Sequence, residues 1–390
     1  MTKYWAEQGH EVVVLAGMVH YNTGKKEDKY KGKFIVKDDF DEGITVYRTH
    51  VSEAYNVNFL GRLWGYFSFV FSSIICGLFK VRGKFDLILV SSPPLFVGIT
   101  AWFLSKIKRT PFLFEIRDLW PESAIDAGVL KNKMIIKMAY WFESFIYKRA
   151  KGINTLTPAF QKKLIEEKGI PKEKVFMIPN AADFILSDEL LQTVDSNQFK
   201  ESLGLKDKFV ITYVGAHGVA NHLIQVLECA KEVTDLPIVF QLIGTGMQKE
   251  ELVRKKEEWG LRNVFFRDPV PKAEVFKYIL ASDMGASILK KAETFKTIYS
   301  NKTFDYMACK KPVLLLIDGV SRELIEKADC GVYVEPEDIN DFVTKIRHLF
   351  NEGTDLSSKG ENGYHYAKKH FDRTVLAEKY LKIIQSLSKK

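Results

Sequence analysis

The sequence is poor in cysteine and has no recognisable leader, repeat or low-complexity segment. Its four cysteines, at positions 76, 229, 309 and 330, have a spacing that fits no metal site. We expect free, reduced thiols in a cytosolic protein, which excludes a disulfide-stabilised secreted domain. The opening residues, MTKYWAEQGHEVVVLAG, lack a basic region followed by an apolar one and do not resemble a signal peptide.

Two common nucleotide-binding fingerprints are also missing. Neither a dinucleotide-binding nor a P-loop pattern occurs, and no cluster of metal ligands is visible. What is present is a composition of 46% hydrophobic and 27% charged residues, which is typical of a soluble globular protein. A chain of 390 residues has ample core and forms one to three domains.

Positive charge is concentrated in the first half of the chain. Residues 1–180 hold 27 Lys and Arg against 18 Asp and Glu, whereas the remainder holds 30 against 31. The window 59–151 alone holds 14 basic and 6 acidic residues, and it is also the most aromatic part of the chain. It contains the uncharged run LWGYFSFVFSSIICGLF (63–79) and the segment KMIIKMAYWFESFIYKRAK (133–151).

Three interpretations of this window remain open. A membrane-spanning helix needs about 20 apolar residues, and the run 63–79 is at the lower limit and contains serine and glycine. A core helix with a solvated basic rim is the second interpretation. The third, which we favour, is an apolar and aromatic surface that lies on an anionic membrane face. No recognised motif accompanies the charge, so nucleic acid is not expected as a partner.

Apolar strands alternate with helices along the whole chain. In the first half, strands are predicted at 11–17, 85–94, 110–118, 152–157 and 174–180, with helices at 59–80, 95–107, 133–150 and 158–169. After a charged, linker-like stretch at 187–207, strands recur at 209–215, 238–244, 263–268, 283–289, 312–318 and 331–335. This pattern predicts two doubly wound α/β domains, with a boundary near residue 185 and ligands at the carboxyl ends of the strands.

One segment near the C-terminus combines a helix start with polar side chains. SNKTFDYMACKKPVL (300–314) predicts a helix that begins near Asn301 and Lys302 and carries Asp305 one turn later. A helix N-terminus and a lysine suit a phosphate, and a carboxylate suits the two hydroxyls of a ribose. The alternative is an amphipathic surface helix with an incidental Lys–Asp pair.

Three further segments place polar residues after predicted strands. YVGAHGVANHL (213–223) is a strand end, a glycine turn with Gly215 and Gly218, and a helix start, with His217 positioned to touch a phosphate or sugar. LIGTGMQKEEL (242–252) repeats this geometry around Gly244. FEIRDLWPESA (114–124) places Asp118 after a strand of the first domain. Each segment also has a simpler interpretation as a turn or helix cap.

Taken together and in order, these motifs resemble the GT-B glycosyltransferases of family 4. The closest resemblance is to the bacterial O-antigen, capsule and exopolysaccharide subgroup, which includes N-acetylfucosamine transferases. RDLWPES, IPNAAD, YVGAHGVAN, LIGTGMQKEEL and SNKTFDYMACKKPVLL carry the resemblance, which runs essentially end to end. It implies two Rossmann-like domains that face a central cleft: an acceptor domain (1–184), a nucleotide-sugar domain (185–370) and a C-terminal helix (371–390) that returns to the first.

The resemblance assigns roles to individual residues. Asp305 would hold the ribose hydroxyls, and Lys302 would face the diphosphate. The implied catalytic residues are Asp118, His217 and Lys302, and the acceptor-side residues are Arg117 and Trp120. The implied donor-binding residues are Gly215, Gly218, Asn221, Gly244, Thr297, Asn301, Lys302 and Asp305.

The sequence departs from the family pattern in four places. The usual pair of glutamates eight residues apart is replaced by Thr297, with Glu293 nearby, and Asp305. Ala216 and Asn221 stand roughly where an Arg and a Lys are common in the family. The resemblance therefore implies that Lys302 and His217 make more of the contacts with the phosphates. Arg117 and Asp118 replace an acceptor-side histidine. By this resemblance the sequence as written starts inside the first helix, so the first strand and glycine-rich loop of the family are expected to be missing from it.

The resemblance therefore predicts a retaining glycosyltransferase that needs no metal or other cofactor. The donor would be a nucleotide-sugar, with UDP as the nucleotide, and the acceptor a polyprenyl-diphosphate-linked saccharide in surface polysaccharide biosynthesis. The protein would be cytoplasmic and peripheral on the inner face of the cell membrane. Two alternatives are a GT-B-type UDP-sugar epimerase and an inactive nucleotide-sugar-binding partner subunit.

Overall fold

The computed structural model describes residues 1–19, 25–56, 59–126, 128–351 and 355–388. The chain forms two compact units, one of Met1–Pro179 with Thr374–Lys390 and the other of Asn180–Arg373. The sequence analysis placed these boundaries after residues 184 and 370.

The first unit is built from alternating strands and helices. Its strands are β1 (Val12–Gly17), β2 (Ile35–Asp41), β3 (Ile44–Thr49), β4 (Ile88–Ser92), β5 (Phe112–Ile116), β6 (Gly152–Thr155) and β7 (Val175–Met177). Its helices are α1 (Thr2–Glu7), α2 (Phe59–Phe79), α3 (Val97–Lys108), α4 (Glu122–Asp126), α5 (Lys133–Arg149) and α6 (Pro158–Lys162). A π-helix, Lys163–Glu167, follows α6 directly.

These strands form two sheets. β4, β5, β6 and β7 are parallel and pair in chain order, and every residue of β5 and β6 is buried, as expected for strands covered on both faces. The other sheet has the order β1-β3-β2, with β1 parallel and β2 antiparallel to β3. The sequence analysis did not predict the β2–β3 hairpin, which turns at Gly43 (φ +76°).

Both sheets have an end strand that is partly exposed. β1 lies at one end of its sheet and β4 at one end of the other. All six residues of β1 are half-buried, and Leu89 of β4 is exposed. The expectation that a further strand precedes β1 stays a prediction.

Helix α2 contains the uncharged run noted in the sequence. One face packs on α3, where Gly77 lies against Leu104 and the Ser73 and Thr100 hydroxyls are 2.9 Å apart. By length and composition, Gly61–Phe79 is long and apolar enough to cross a membrane, with a mean hydropathy of 1.4. However, the buried serines on the packed face are satisfied within the unit, since Ser72 Oγ donates to the His50 carbonyl at 2.7 Å.

The second unit has a single parallel sheet. Its strands are β8 (Phe209–Val214), β9 (Ile238–Ile243), β10 (Val264–Arg267), β11 (Met284–Ile288), β12 (Val313–Leu316) and β13 (Gly331–Tyr333). They pair in the order β10-β9-β8-β11-β12-β13. The order reverses at β8, so β8 and β11 flank the switch point at which doubly wound sheets bind ligands. The predicted α/β class is confirmed in both units, and the named strands pair in parallel except β2, which is antiparallel to β3.

Helices cover both faces of this sheet. They are α7 (Phe184–Thr193), α8 (Ser196–Ser202), α9 (Ile224–Glu232), α10 (Lys249–Glu258), α11 (Lys272–Leu280), α12 (Asn301–Ala308), α13 (Val320–Ala328), α14 (Ile339–Asn351) and α15 (Leu356–Phe371). The linker-like interpretation of 187–207 was wrong for α7 and α8. Phe184 and Leu190 of α7 pack into the core, and the Asp195 side chain accepts from Gln198 N and caps α8.

The last helix, α16 (Arg373–Ser388), belongs to the first unit from Thr374 onward. Its buried side chains include Tyr380 and Leu387. Tyr380 donates to Glu115 Oε2 at 2.9 Å, and Trp5 of α1 donates from Nε1 to the Ala377 carbonyl at 2.9 Å. The helix therefore joins α1 to the parallel sheet of the first unit.

All four cysteines are free, as predicted, and all four are buried. Burial raises the pKa of the Cys76 thiol to about 11. Burial also raises the pKa of each of the other three thiols. All four thiols are therefore protonated and unreactive near neutral pH.

Candidate active site

Lys302 lies at the start of α12, beside the first glycine turn. Asn301 and Lys302 are the first two residues of the helix, as predicted. The Lys302 ammonium is 4.8 Å from the centre of the Tyr213 ring. A Cβ on Gly215 would lie only 3.1 Å from Lys302 Cε. Glycine at 215 therefore allows the lysine to lie against the backbone at the carboxyl end of β8.

The environment of Lys302 disfavours its charge. Burial lowers its pKa to about 8, although Asp305 opposes the shift. The protein gives this buried ammonium little compensation for the water that it has lost. A bound anion therefore stabilises the charge of Lys302 more than it would stabilise a lysine in water.

The two glycine loops are joined by backbone hydrogen bonds. His217 N donates to the Thr245 carbonyl at 2.9 Å, and Gln248 N donates to the His217 carbonyl at 3.0 Å. Gly244 has φ +148°, and a Cβ there would lie 1.9 Å from the Gly215 carbonyl oxygen. Only glycine is compatible with this approach, so the loops after β8 and β9 form one backbone surface.

His217 lies inside this surface and is fully buried. Both ring nitrogens are buried without a hydrogen-bond partner within the described residues. Its ring packs against Tyr213 and Phe266. Burial, with the nearby Lys249 charge, lowers the pKa of His217 to about 4, so the imidazole is neutral at pH 7. A neutral imidazole offers one donor and one acceptor rather than a positive charge.

Asp305 lies within a group of charges on the same unit. Its Oδ1 is 3.7 Å from the Lys272 ammonium. Lys272 also contacts Asp183 at 3.1 Å, and Asp183 accepts from Arg373 at 2.8 Å. Burial raises the pKa of Asp305, whereas Lys272 and Arg373 oppose that shift. With 28% of its side chain exposed, the carboxylate remains open to a ligand.

The other predicted donor-side residues lie around these loops. Gly218 and Asn221 bracket a short 3₁₀ helix, Val219–Asn221, which precedes α9, so the helix predicted to begin there starts later, at Ile224. Asn301 Oδ1 accepts from the Asn180 amide at 2.6 Å. Thr297 closes another 3₁₀ helix, Glu293–Thr297, and its hydroxyl donates to the Thr294 carbonyl at 2.6 Å.

Asp118, Arg117 and Trp120 lie in the first unit, in the loop between β5 and α4. Asp118 Oδ2 accepts from the Ser123 hydroxyl at 2.7 Å, and burial raises the pKa of this carboxyl. Arg117 is exposed, with its guanidinium 3.7 Å from Glu115. The Trp120 ring centre is 5.8 Å from that of Phe96.

Sequence reasoning missed two residues that shape the donor side, Lys249 and Lys272. Lys249 Nζ donates to the Gly244 carbonyl at 3.0 Å and to Asp268 at 2.7 Å, which fixes the second glycine loop. Its position in LIGTGMQKEEL, a segment already selected, was the available signal. Lys272 had no such signal, since its partners Asp183 and Asp305 are distant in sequence.

In the part of the chain that the structure describes, no group of three or more His, Cys, Asp or Glu side chains is arranged to hold a metal ion. The expectation that the reaction needs no metal stays a prediction.

Two families match consecutive parts of the chain. Residues 1–181 match the glycosyl transferase 4-like domain, and residues 208–352 match the glycosyl transferases group 1 domain. The two matches contain the Asp118 loop and the Lys302 helix, respectively.

Two relatives are similar in sequence. WcaI of Escherichia coli (strain K12), named as a colanic acid biosynthesis glycosyl transferase, is 24% identical over 99% of this chain and 94% of its own. The N-acetylgalactosamine-N,N'-diacetylbacillosaminyl-diphospho-undecaprenol 4-alpha-N-acetylgalactosaminyltransferase of Campylobacter jejuni is 24% identical over 65% of this chain and 64% of its own.

Two solved structures share the fold. Sucrose-phosphate synthase from Thermosynechococcus elongatus has a TM-score of 0.75 and 15% identity, covering 99% of this chain and 91% of its own. Anabaena HepE, solved in complex with UDP-glucose, has a TM-score of 0.70 and 16% identity, covering 97% of this chain and all of its own. Both support two Rossmann-like domains.

Proposed function

The chain belongs to the GT-B glycosyltransferases, with a glycosyl transferase 4-like domain before a group 1 domain, and from this premise we propose a specific reaction. The protein is a retaining enzyme that moves a sugar from a UDP-sugar to a lipid-linked saccharide in bacterial surface polysaccharide biosynthesis. It acts at the cytoplasmic face of the cell membrane, without a metal.

The observation that carries the proposal is the position of Lys302. Its ammonium lies beside Gly215, where the loops after β8 and β9 bring backbone groups together. It is also at the N-terminal turn of α12, which contributes a positive dipole end. A lysine, a helix N-terminus and glycine loops at the switch point of a parallel sheet together suit a nucleoside diphosphate.

The same groups explain how the reaction is accelerated. As the glycosidic bond breaks, negative charge grows on the departing diphosphate. Lys302 and the α12 N–H groups then stabilise that charge more strongly than they stabilise the bound donor. Asp305 is proposed to accept hydrogen bonds from the ribose hydroxyls, and neutral His217 to support the loop that borders the sugar.

Asp118 is proposed to act on the acceptor. Burial raises the pKa of its carboxyl, and the Ser123 hydroxyl fixes one of its oxygens at 2.7 Å. A carboxylate with a raised pKa is a better proton acceptor, so Asp118 is suited to orient and deprotonate a sugar hydroxyl. Arg117 and Trp120 would border the same acceptor.

The choice of substrates is supported by the relatives. The Campylobacter relative is named for an undecaprenol-diphosphate-linked acceptor and an alpha linkage, and HepE was solved with UDP-glucose. We extend these two chemistries to this chain as a proposal.

The membrane contact is proposed to involve α2 and α5. Trp64, Phe67 and Phe71 are exposed on one face of α2, at helical spacing. Met134, Met138 and Trp141 are exposed on α5 in the same way. Exposed apolar side chains of this size, gathered on two helices, suit a surface that another apolar phase covers.

Aromatic contacts connect the two helices. Phe67 of α2 is 4.9 Å from Phe96, which is 5.9 Å from Phe142 of α5, measured between ring centres. Basic side chains are exposed on and beside these helices: Arg62, Lys80, Arg82, Lys84, Lys131, Lys133, Lys137, Lys148 and Arg149. An apolar face with lysines and arginines around it suits the interface of an anionic bilayer.

Product analysis tests the proposed function. The protein is incubated with radiolabelled UDP-sugar and a membrane lipid extract, and the products are separated. Transfer of label to the lipid fraction is expected. Label recovered as a different UDP-sugar would indicate an epimerase, whereas UDP-sugar binding without any product would indicate a binding subunit.

A further inference from the structure

The first unit contains a polar cavity whose lining residues have no role in the reaction proposed above. Its volume is about 420 Å³, at the lower end of the range of small-molecule sites. It is lined by residues of α4, α5, the π-helix and the segment after it, including Glu122, Tyr140, Glu143, Ser144, Lys163 and Lys168.

A group of charges forms one wall of the cavity. Lys168 Nζ contacts both Glu143 oxygens at 2.6 Å and Glu122 Oε1 at 2.8 Å. All three side chains are nearly buried, with exposed fractions of 13% for Lys168, 14% for Glu122 and 4% for Glu143. Lys168 uses its three N–H donors on these contacts, so its ammonium has no donor left for a ligand in the cavity.

Two groups on the wall retain hydrogen-bonding capacity. Glu122 Oε2 is buried and, within the described residues, has no hydrogen-bond partner. The Lys163 ammonium lies 3.7 Å from Glu122 Oε1 and 3.8 Å from Glu167 Oε2, beyond hydrogen-bond distance of both. A buried carboxylate oxygen without a partner is costly, and rotation of the Glu122 carboxylate toward the cavity would let a ligand hydroxyl satisfy it.

The backbone is irregular at the same place. Lys163 and Glu167 belong to the π-helix that follows α6. A π-helix is rare, occurs mostly as a single turn within an α-helix, and is frequently found at a functional site. The π-helix thus coincides with the cavity wall that carries the available ammonium.

Charge narrows the class of ligand. A cation would meet Lys163 and Lys168, and an anion would meet Glu122, Glu143 and Glu167. A neutral ring with several hydroxyls both donates and accepts, so it suits an available carboxylate oxygen, an ammonium and the hydroxyls of Tyr140 and Ser144. The Tyr140 ring adds an aromatic surface to the same wall.

We propose that this cavity binds a pyranose ring. Two sources share that chemistry: a sugar of the acceptor saccharide, or a free sugar that acts as an effector. The first source rests on the proposed transfer activity, whereas binding of the ring itself does not.

Saturation-transfer NMR with N-acetylgalactosamine as the probe tests the cavity. Ser144→Phe fills the space and Glu122→Gln removes the carboxylate, with Ser144→Ala as the control for the first. Glu166→Gln is the control for the second, because Glu166 is an exposed residue of the same π-helix. A signal in the wild type that falls about tenfold in Ser144→Phe and Glu122→Gln, but not in the controls, supports the proposal.

Two results would overturn it. One is the absence of a signal from the wild type at millimolar sugar, and the other is an unchanged signal in Ser144→Phe. Thermal melting of every variant separates misfolding of the first unit from loss of the cavity. Calorimetry with UDP, whose proposed site lies in the second unit, separates failure of this proposal from failure of the proposed function. In the transfer assay, competition between the sugar and the acceptor indicates the acceptor source, whereas a changed kcat at saturating acceptor indicates an effector.

Discussion

The ammonium of Lys302 lies 4.8 Å from the centre of the Tyr213 ring, so the lysine at the start of α12 is held over the end of β8. The contact supplies an electron-rich face, but no full negative charge, to a partly buried cation. Burial accordingly lowers the pKa of Lys302 to about 8. A bound diphosphate would supply the missing charge.

The first prediction is that UDP binds with uptake of a proton at alkaline pH. Below about pH 8 Lys302 is already protonated in the free protein, so affinity changes little. Above that value the diphosphate must raise the lysine pKa again, and affinity falls by up to about tenfold per pH unit. Calorimetry with UDP in buffers of different ionisation enthalpy measures both the affinity and the proton. Lys302→Arg is the control, because arginine stays charged; an identical pH dependence in that variant would contradict the assignment.

The second prediction concerns Asp305. Asp305→Ala should weaken UDP binding by about 2–4 kcal/mol, because two charge-assisted hydrogen bonds to the ribose are lost. Lys272 keeps its contact with Asp183, so the unit should still fold. Calorimetry with UDP measures the loss. Asp235→Ala removes a carboxylate from an exposed ion pair with Arg347 and serves as the control. Equal affinities for the two variants would show that Asp305 is only a surface residue.

The third prediction tests the two glycine loops. Gly244→Ala should abolish UDP binding and lower Tm, because the new Cβ would lie 1.9 Å from the Gly215 carbonyl oxygen. Gly260→Ala is the matched control, since Gly260 also has a positive φ (+63°) but nothing within 4 Å of its Cβ position. The control should cost only the conformational strain, about 1–2 kcal/mol. Thermal melting and UDP titration compare them, and equal behaviour of the two variants would refute the close approach.

The fourth prediction addresses the membrane surface. The protein should sediment with anionic vesicles, and 0.5 M salt should weaken this without abolishing it, because charge is screened while the aromatic contribution remains. Phe71→Glu with Trp141→Glu should prevent sedimentation. Ile185→Glu changes an exposed apolar residue of the second unit and should leave sedimentation unchanged. Sedimentation of the double variant as efficiently as wild type, or its absence in wild type at low salt, would refute the membrane contact.

Periodicity predicted the regular elements well, because parallel strands buried on both faces are almost continuously apolar. The predicted strand at 238–244 is β9 (Ile238–Ile243), in which every residue is buried. Periodicity failed to predict the strands and helices that contain many polar residues. The β2 strand IVKDDFD carries three aspartates, and the α8 helix SNQFKES has a single apolar residue.

The candidate site was predictable only in part. Lys302 and the glycine loops are local features, because a strand end and a helix start determine where they lie. The contacts of Lys272 with Asp183 and Asp305 join α11 to segments distant in sequence, which no local pattern encodes. The low pKa of His217 likewise arises from packing, since Phe266 and Tyr213 cover a turn histidine that the sequence analysis expected to touch a phosphate or sugar.

The most direct test of the central claim is to compare turnover and UDP affinity for Lys302→Ala. If Lys302 stabilises the departing diphosphate, transfer of radiolabelled sugar from the UDP-sugar to membrane lipid should fall by a larger factor than UDP affinity, because the interaction strengthens as charge develops. Thermal melting confirms that the variant is folded. Equal losses in turnover and affinity would contradict this role for Lys302.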